Sequence, residues 1–156
     1  MDFNEAISRF PESVVDSLKT TPQNPKWHPE GCVMNHVELV FELAKQLDPE
    51  NVDLQIAALF HDMGKPVTTK INPETGKISS PGHEALAKEY IAQYGHLFPE
   101  AQDWEKITFI CKHHMKMHLF REMREFKRKD LIKHRYFHDL LKFAFCDDNG
   151  RGKGAK

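Results

Sequence analysis

Apolar positions recur at spacings of three and four along most of the chain, and no run of alternating Val, Ile, Thr and aromatic residues marks a sheet. The pattern predicts an all-α, single-domain helical bundle. A first helix falls over 2–19, with Pro11 as a potential break, followed by a proline-dense loop from Thr20 to Gly31. Helices follow over 32–47, stopped by Asp48-Pro49, and over 51–63, ended by Gly64 and Pro66. The polar connection over 67–82 holds a turn, Asn72 to Lys77, that suits the tip of a short hairpin. Helices over about 83–94, 100–117 and 129–147 complete the pattern, with Gly95 capping the first of them. The expected organisation is an N-terminal helix and proline-rich loop over 1–26 packing on the core, a principal domain over 27–150, and a flexible basic tail over 151–156.

Several polar residues fall on the wrong face. Residues three, four and seven apart share a helix face. His36 is followed at those offsets by Leu39, Val40 and Leu43, and His83 by Leu86, Ala87 and Tyr90. His61 is preceded by Ala58, Ala57 and Leu54, His114 by Cys111, Ile110 and Ile107, and Asp147 by Ala144, Phe143 and Leu140. Asp62 adjoins His61. Helices thus begin or end with ionisable groups on their core-facing stripes. Burying an isolated carboxylate costs more than a small domain tolerates. The least costly resolution is convergence on a divalent cation, for which imidazole and carboxylate are a standard donor set.

Composition agrees with that reading. Ten histidines in 156 residues are an excess that metal ligation explains. With 40% apolar and 29% charged residues the chain has the balance of one globular domain. A formal net charge of -1 excludes a global pull toward nucleic acid or membrane. Cys32, Cys111 and Cys146 form no CxxC pair, so they read as buried free thiols in a reducing compartment. Met1 to Glu5 lack the basic start of a signal peptide, and no apolar stretch is long enough to span a bilayer, so a cytoplasmic protein is expected.

His61-Asp62-Met63-Gly64-Lys65, after the apolar run Leu54 to Phe60, resembles the signature of the HD-domain metal-dependent phosphohydrolases. The ordered set His36, His61-Asp62 and Asp147 matches the family's core pattern, and His83 and His114 match its additional histidine pair. His28-Pro29-Glu30-Gly31, Lys65-Pro66, Gly82-His83-Glu84 and Asp147 with Gly150-Arg151 are most similar to the HD domain of bacterial tRNA nucleotidyltransferases. The resemblance covers about residues 27–151. The nucleotidyltransferase catalytic domain has no counterpart upstream of residue 27, so only a hydrolase activity is carried over.

The resemblance implies a divalent metal ion (Mn, Fe, Co, Ni, Zn or Mg), one or two per chain, held by His36, His61, Asp62 and Asp147. His83 and His114 then either hold a second ion with Asp62 bridging or bind substrate phosphate. His113 and Asp148 remain the alternatives to their neighbours His114 and Asp147. Asp62 and Lys65 are the catalytic candidates, with Lys65 facing the phosphate. The mixed-charge run after His118 contains Arg121 and Arg124, candidates for a basic pocket rim that attracts nucleotides or RNA ends. The expected substrate is a nucleotide or other small phosphoester, with a 2′,3′-cyclic nucleotide among the options. The rival reading is a non-catalytic RNA- or partner-binding module with a structural metal.

Overall fold

The computed structural model describes residues 1–152. Among them, no helix is long and apolar enough to cross a membrane. The first helical segment is two helices, α1 (Phe3–Ser8) and α2 (Glu12–Thr20), separated at Pro11, where the fixed ring and missing N–H end a helix. The proline-rich loop leads to α3 (Val33–Leu47), and Asn51 caps α4 (Val52–Phe60) by accepting from Leu54 N at 3.2 Å. A tight turn over 61–64 joins α4 to the short α5 (Lys65–Thr68).

Strands β1 (Lys70–Ile71) and β2 (Ile78–Ser79) pair antiparallel and form a small hairpin. Asn72 Oδ1 accepts from Glu74 N at its tip, and Gly76 takes the left-handed conformation. A 3-10 turn (His83–Leu86) precedes α6 (Ala87–Tyr94), α7 (Trp104–His118), α8 (Glu125–Lys133) and α9 (Phe137–Asn149).

Helix α4 is buried on every side from Asp53 to Phe60 and forms the centre of the bundle, with α3, α7 and α9 packed around it. The stripe Val33, Val37, Val40, Phe41 and Ala44 of α3 faces it. Phe3, Ala6, Ile7 and Phe10 bring the N-terminal segment into the same core. Phe60 meets Phe10, Phe98 and Trp104 edge-on at 5.6, 5.7 and 6.1 Å. Truncation to Phe60→Ala is expected to cost about 3–5 kcal/mol, read as a lower midpoint in urea unfolding at unchanged slope.

Four boundaries differ from the sequence pattern. The helix expected over 51–63 ends at Phe60, and Pro66, expected to stop it, sits in the first turn of α5, where its missing N–H costs nothing. Helix α7 starts at Trp104, not near residue 100, because Asp103 caps it by accepting from Lys106 N at 3.1 Å. The segment from His83 begins as a 3-10 turn, not an α-helix. The helix expected over 129–147 is two helices broken at His134 to Tyr136. There the His134 ring stacks on Phe109 at 3.9 Å, and the Tyr136 hydroxyl donates to Asp103 at 2.7 Å. These long-range contacts override helix propensity. The expected tail begins with Arg151, whose guanidinium donates to the Trp27 carbonyl at 3.1 Å; residues 153–156 lie outside the described residues.

Candidate metal centre

Five separate elements deliver the six residues of the sequence pattern to one place. His36 comes from the first turn of α3, His61 and Asp62 from the turn closing α4, His83 from the 3-10 turn, His114 from α7 and Asp147 from α9. Each is at most 4% exposed. Asp62 is central. Its Oδ2 faces Lys65 Nζ, His61 Nε2 and His36 Nε2 at 3.0, 3.2 and 3.6 Å. Its Oδ1 faces His83 Nε2 and His114 Nε2 at 3.1 and 3.5 Å. Asp147 Oδ1 lies 2.8 Å from His36 Nε2 and 3.7 Å from His61 Nε2.

The imidazoles share one orientation, and its cause is visible. The Nδ1 of His36, His61, His83 and His114 each meets a backbone carbonyl, of Gly150, Ala58, Ser80 and Cys111, at 2.8, 2.7, 2.8 and 2.6 Å. A carbonyl only accepts, so each Nδ1 carries the hydrogen and each Nε2 turns toward Asp62 or Asp147. Backbone carbonyls orient metal-ligating histidines in this way.

The donor set fits a divalent cation. Both Asp62 oxygens and His61 Nε2 are buried without a hydrogen bond of good geometry; among the described residues Lys65 Nζ, 3.0 Å from Oδ2, is the one fixed cation beside this carboxylate, and Oδ1 faces only imidazoles. Donor atoms of His36, His61 and Asp147, and of His61, Asp62 and His114, lie within 4.8 Å of one another.

The cluster's own charges are strongly coupled. Burial lowers the basicity of His61, but Asp62 and Asp147 outweigh it and hold its pKa at about 10. Burial likewise opposes ionisation of Asp62 and Asp147, yet the surrounding imidazoles, with Lys65 beside Asp62, keep both well below the usual carboxylate range. The concentration of negative charge is what a cation would meet.

Lys65 is buried, donates to Gln23 Oε1 at 2.6 Å and points into the cluster. A cavity of about 640 Å³ opens over the centre; Trp27, His28, Lys77, Ile78 and Arg151 line it together with Lys65, His83, His114 and Asp147. The structure does not bring Arg121 or Arg124 to this cavity: Arg121 borders a separate depression with Leu141 and Phe145, and Arg124 is exposed. His113 packs against Phe109 at 4.6 Å, away from the cluster, and Asp148 is largely exposed.

Other polar groups beside the centre were not assigned from sequence. His118 Nε2 meets Asp147 Oδ2 at 3.1 Å and its Nδ1 meets Asp148 Oδ1 at 3.3 Å, contacts that raise its pKa to about 9. Its position one helical turn beyond His114 was the available signal. Glu30 is also buried beside His28, and its pKa is pushed up by that burial. Burial, then Lys65 and His36, lower the His28 pKa to about 3 and keep that ring neutral.

The HD domain model matches residues 33–134. The chain belongs to the HD domain family. HD domains generally bind divalent metals and act as hydrolases, in agreement with the donor geometry found here. Similar proteins include the Multifunctional CCA protein of Xanthomonas axonopodis pv. citri (strain 306), 29% identical over 85% of this chain and 29% of the relative. The Multifunctional CCA protein of Xanthomonas euvesicatoria pv. vesicatoria (strain 85-10) is 31% identical over the same shares, 85% and 29%. That of Xylella fastidiosa (strain M12) is 27% identical over 76% of this HD chain and 28% of the relative. The chain therefore spans less than a third of the length of these relatives. No solved structure gives a significant match.

Proposed function

We propose that the protein is a metal-dependent phosphohydrolase, a phosphodiesterase or phosphatase acting on a nucleotide or another small phosphoester. The observation that carries this reading is the ring of inward-turned Nε2 atoms around the buried carboxylate of Asp62, at the floor of an open cavity. The relatives' name, with its reference to CCA, favours the nucleotide class, and a 2′,3′-cyclic nucleotide is the first compound to assay.

His36, His61, Asp62 and Asp147 would hold one ion, and His83 and His114, with Asp62, a second. A divalent ion bound there supplies acidity to water and Lewis-acid polarisation of the phosphoryl group. The backbone carbonyls fix the donor tautomers, and the burial of the centre leaves the cavity side as its approach. Lys65, held by Gln23, offers a cation to the phosphoryl oxygens.

Protein loaded with Mn²⁺, Co²⁺ or Ni²⁺ is expected to bind about two ions per chain and to hydrolyse such phosphoesters. His83→Ala and His114→Ala should each reduce the metal count to one in elemental analysis, and His61→Ala should bring turnover to the buffer rate. Full metal content with no turnover on any phosphoester would leave a structural ion in a binding module and overturn the hydrolase reading.

A further inference from the structure

The two carboxylates of the centre are not held alike. Asp62 turns both oxygens into the cluster, Oδ2 toward Lys65, His61 and His36 and Oδ1 toward His83 and His114. Asp147 turns in only one. Its Oδ1 lies 2.8 Å from His36 Nε2 and 3.7 Å from His61 Nε2, whereas its Oδ2 makes a hydrogen bond of 3.1 Å with His118 Nε2. An ionised carboxylate only accepts, so His118 donates through Nε2.

His118 also differs from the other histidines of the cluster. The Nδ1 atoms of His36, His61, His83 and His114 face backbone carbonyls. His118 has a carboxylate at each ring nitrogen, since its Nδ1 lies 3.3 Å from Asp148 Oδ1. The ring stands at the end of α7, one helical turn beyond His114, and the two aspartates are consecutive on α9. One helix therefore brings a donor to the cluster and, a turn later, grips a carboxylate of its neighbour. The Asp147 side chain is 5% exposed and that of Asp148 is 60% exposed, with His118 between them.

We propose that His118 is a positioning residue: by holding Asp147 Oδ2 it leaves Oδ1 as the single oxygen that this carboxylate offers to a metal ion, and it fixes Asp147 rather than Asp148 as the ligand from α9. The inference rests on the metal centre of the phosphohydrolase reading and not on turnover. A carboxylate free to rotate offers both oxygens and fills a coordination position otherwise open to water or substrate. Hydrogen-bond partners that orient ligating groups are worth about ten- to a hundredfold in metal affinity.

The test is cobalt binding to the whole chain, followed by visible absorption, which reports the ligands around the ion, and by competition with a chelator. His118→Leu is expected to weaken the ion that His36, His61 and Asp147 would hold by about ten- to a hundredfold and to change the intensity of its absorption bands. His118→Gln, whose amide N–H reaches the place of Nε2, should keep the spectrum and stay within about threefold of the wild-type affinity. His118→Asn, too short to reach Asp147, should behave like His118→Leu and replaces it if the leucine variant does not fold. Asp148→Asn should bind cobalt as the wild type does. Wild-type affinity in His118→Leu or His118→Asn overturns the proposal. Equal weakening in His118→Gln overturns it too, because packing at the helix end would then be the cause. Loss of an ion from Asp148→Asn makes Asp148 the ligand and overturns it as well. A wild type that binds no cobalt removes the proposal together with the metal centre. The expected affinities without hydrolysis of any phosphoester sustain the positioning role and refute the hydrolase reading alone.

Discussion

If the proposed function holds, Asp62→Asn is expected to abolish metal-dependent turnover, by about three orders of magnitude or more, since several kcal/mol of charge stabilisation would depend on the ion that Asp62 would help to hold. Asparagine keeps the size of the side chain and removes its charge, so packing around the 0%-exposed His61 and Phe60 is preserved. What disappears is the oxygen pair that faces Lys65, His61 and His36 on one side and His83 and His114 on the other. Scanning calorimetry provides a second readout. Metal at a hundred times its dissociation constant stabilises a protein by about 2.7 kcal/mol, roughly 5–10 °C for a chain of this size. That rise is expected in the wild type and absent in Asp62→Asn. A variant that still gains the full increment would show that the ion sits elsewhere.

Gly64→Ala is the second change with a large expected effect, although Gly64 touches no ligand directly through a side chain. A Cβ at this position would lie 2.4 Å from the His83 carbonyl oxygen and 3.1 Å from Leu86 Cβ. The missing side chain is what lets the turn carrying His61 and Asp62 press against the 3-10 turn carrying His83. Forcing the two apart is expected to cost about 1–3 kcal/mol in urea unfolding. On the proposed two-ion reading it should also weaken the ion that His83 and His114 would hold more than the one that His36, His61 and Asp147 would hold. Metal titration monitored by bound-ion count separates these effects; uniform weakening at both positions would refute the local account.

The donors of this centre were legible because helical periodicity converts sequence offsets into faces. A histidine with Leu, Val or Ala at the following core offsets, as at His36, has one direction in which to point. Periodicity carries no information on distance between helices, so the meeting of His36 with Asp147 required the fold. Nor did it show that backbone carbonyls fix the tautomers. Loop residues were harder still: Gln23, Glu30 and Arg151 belong to segments without a period, and they are placed by contacts distant in sequence, Gln23 by Lys65, Glu30 by Gly152 and Arg151 by Trp27. The break at His134 was hidden for a related reason. Its cause is the Phe109 ring, on another helix. Arg121 and Arg124 followed the histidines in sequence, but the end of α7 and the turn after it carry them away from the cavity.

The order of the donors along the chain has a consequence for biosynthesis. His36 and Asp147 are separated by 111 positions, and the carbonyl that aligns His36 belongs to Gly150. A growing polypeptide therefore displays these imidazoles well before Asp147 leaves the ribosome, and the geometry of the cluster is complete only after α9 has docked. Ions captured earlier would be held by whichever histidines happen to be near each other, so refolding in excess transition metal should be slower than refolding in its absence followed by loading.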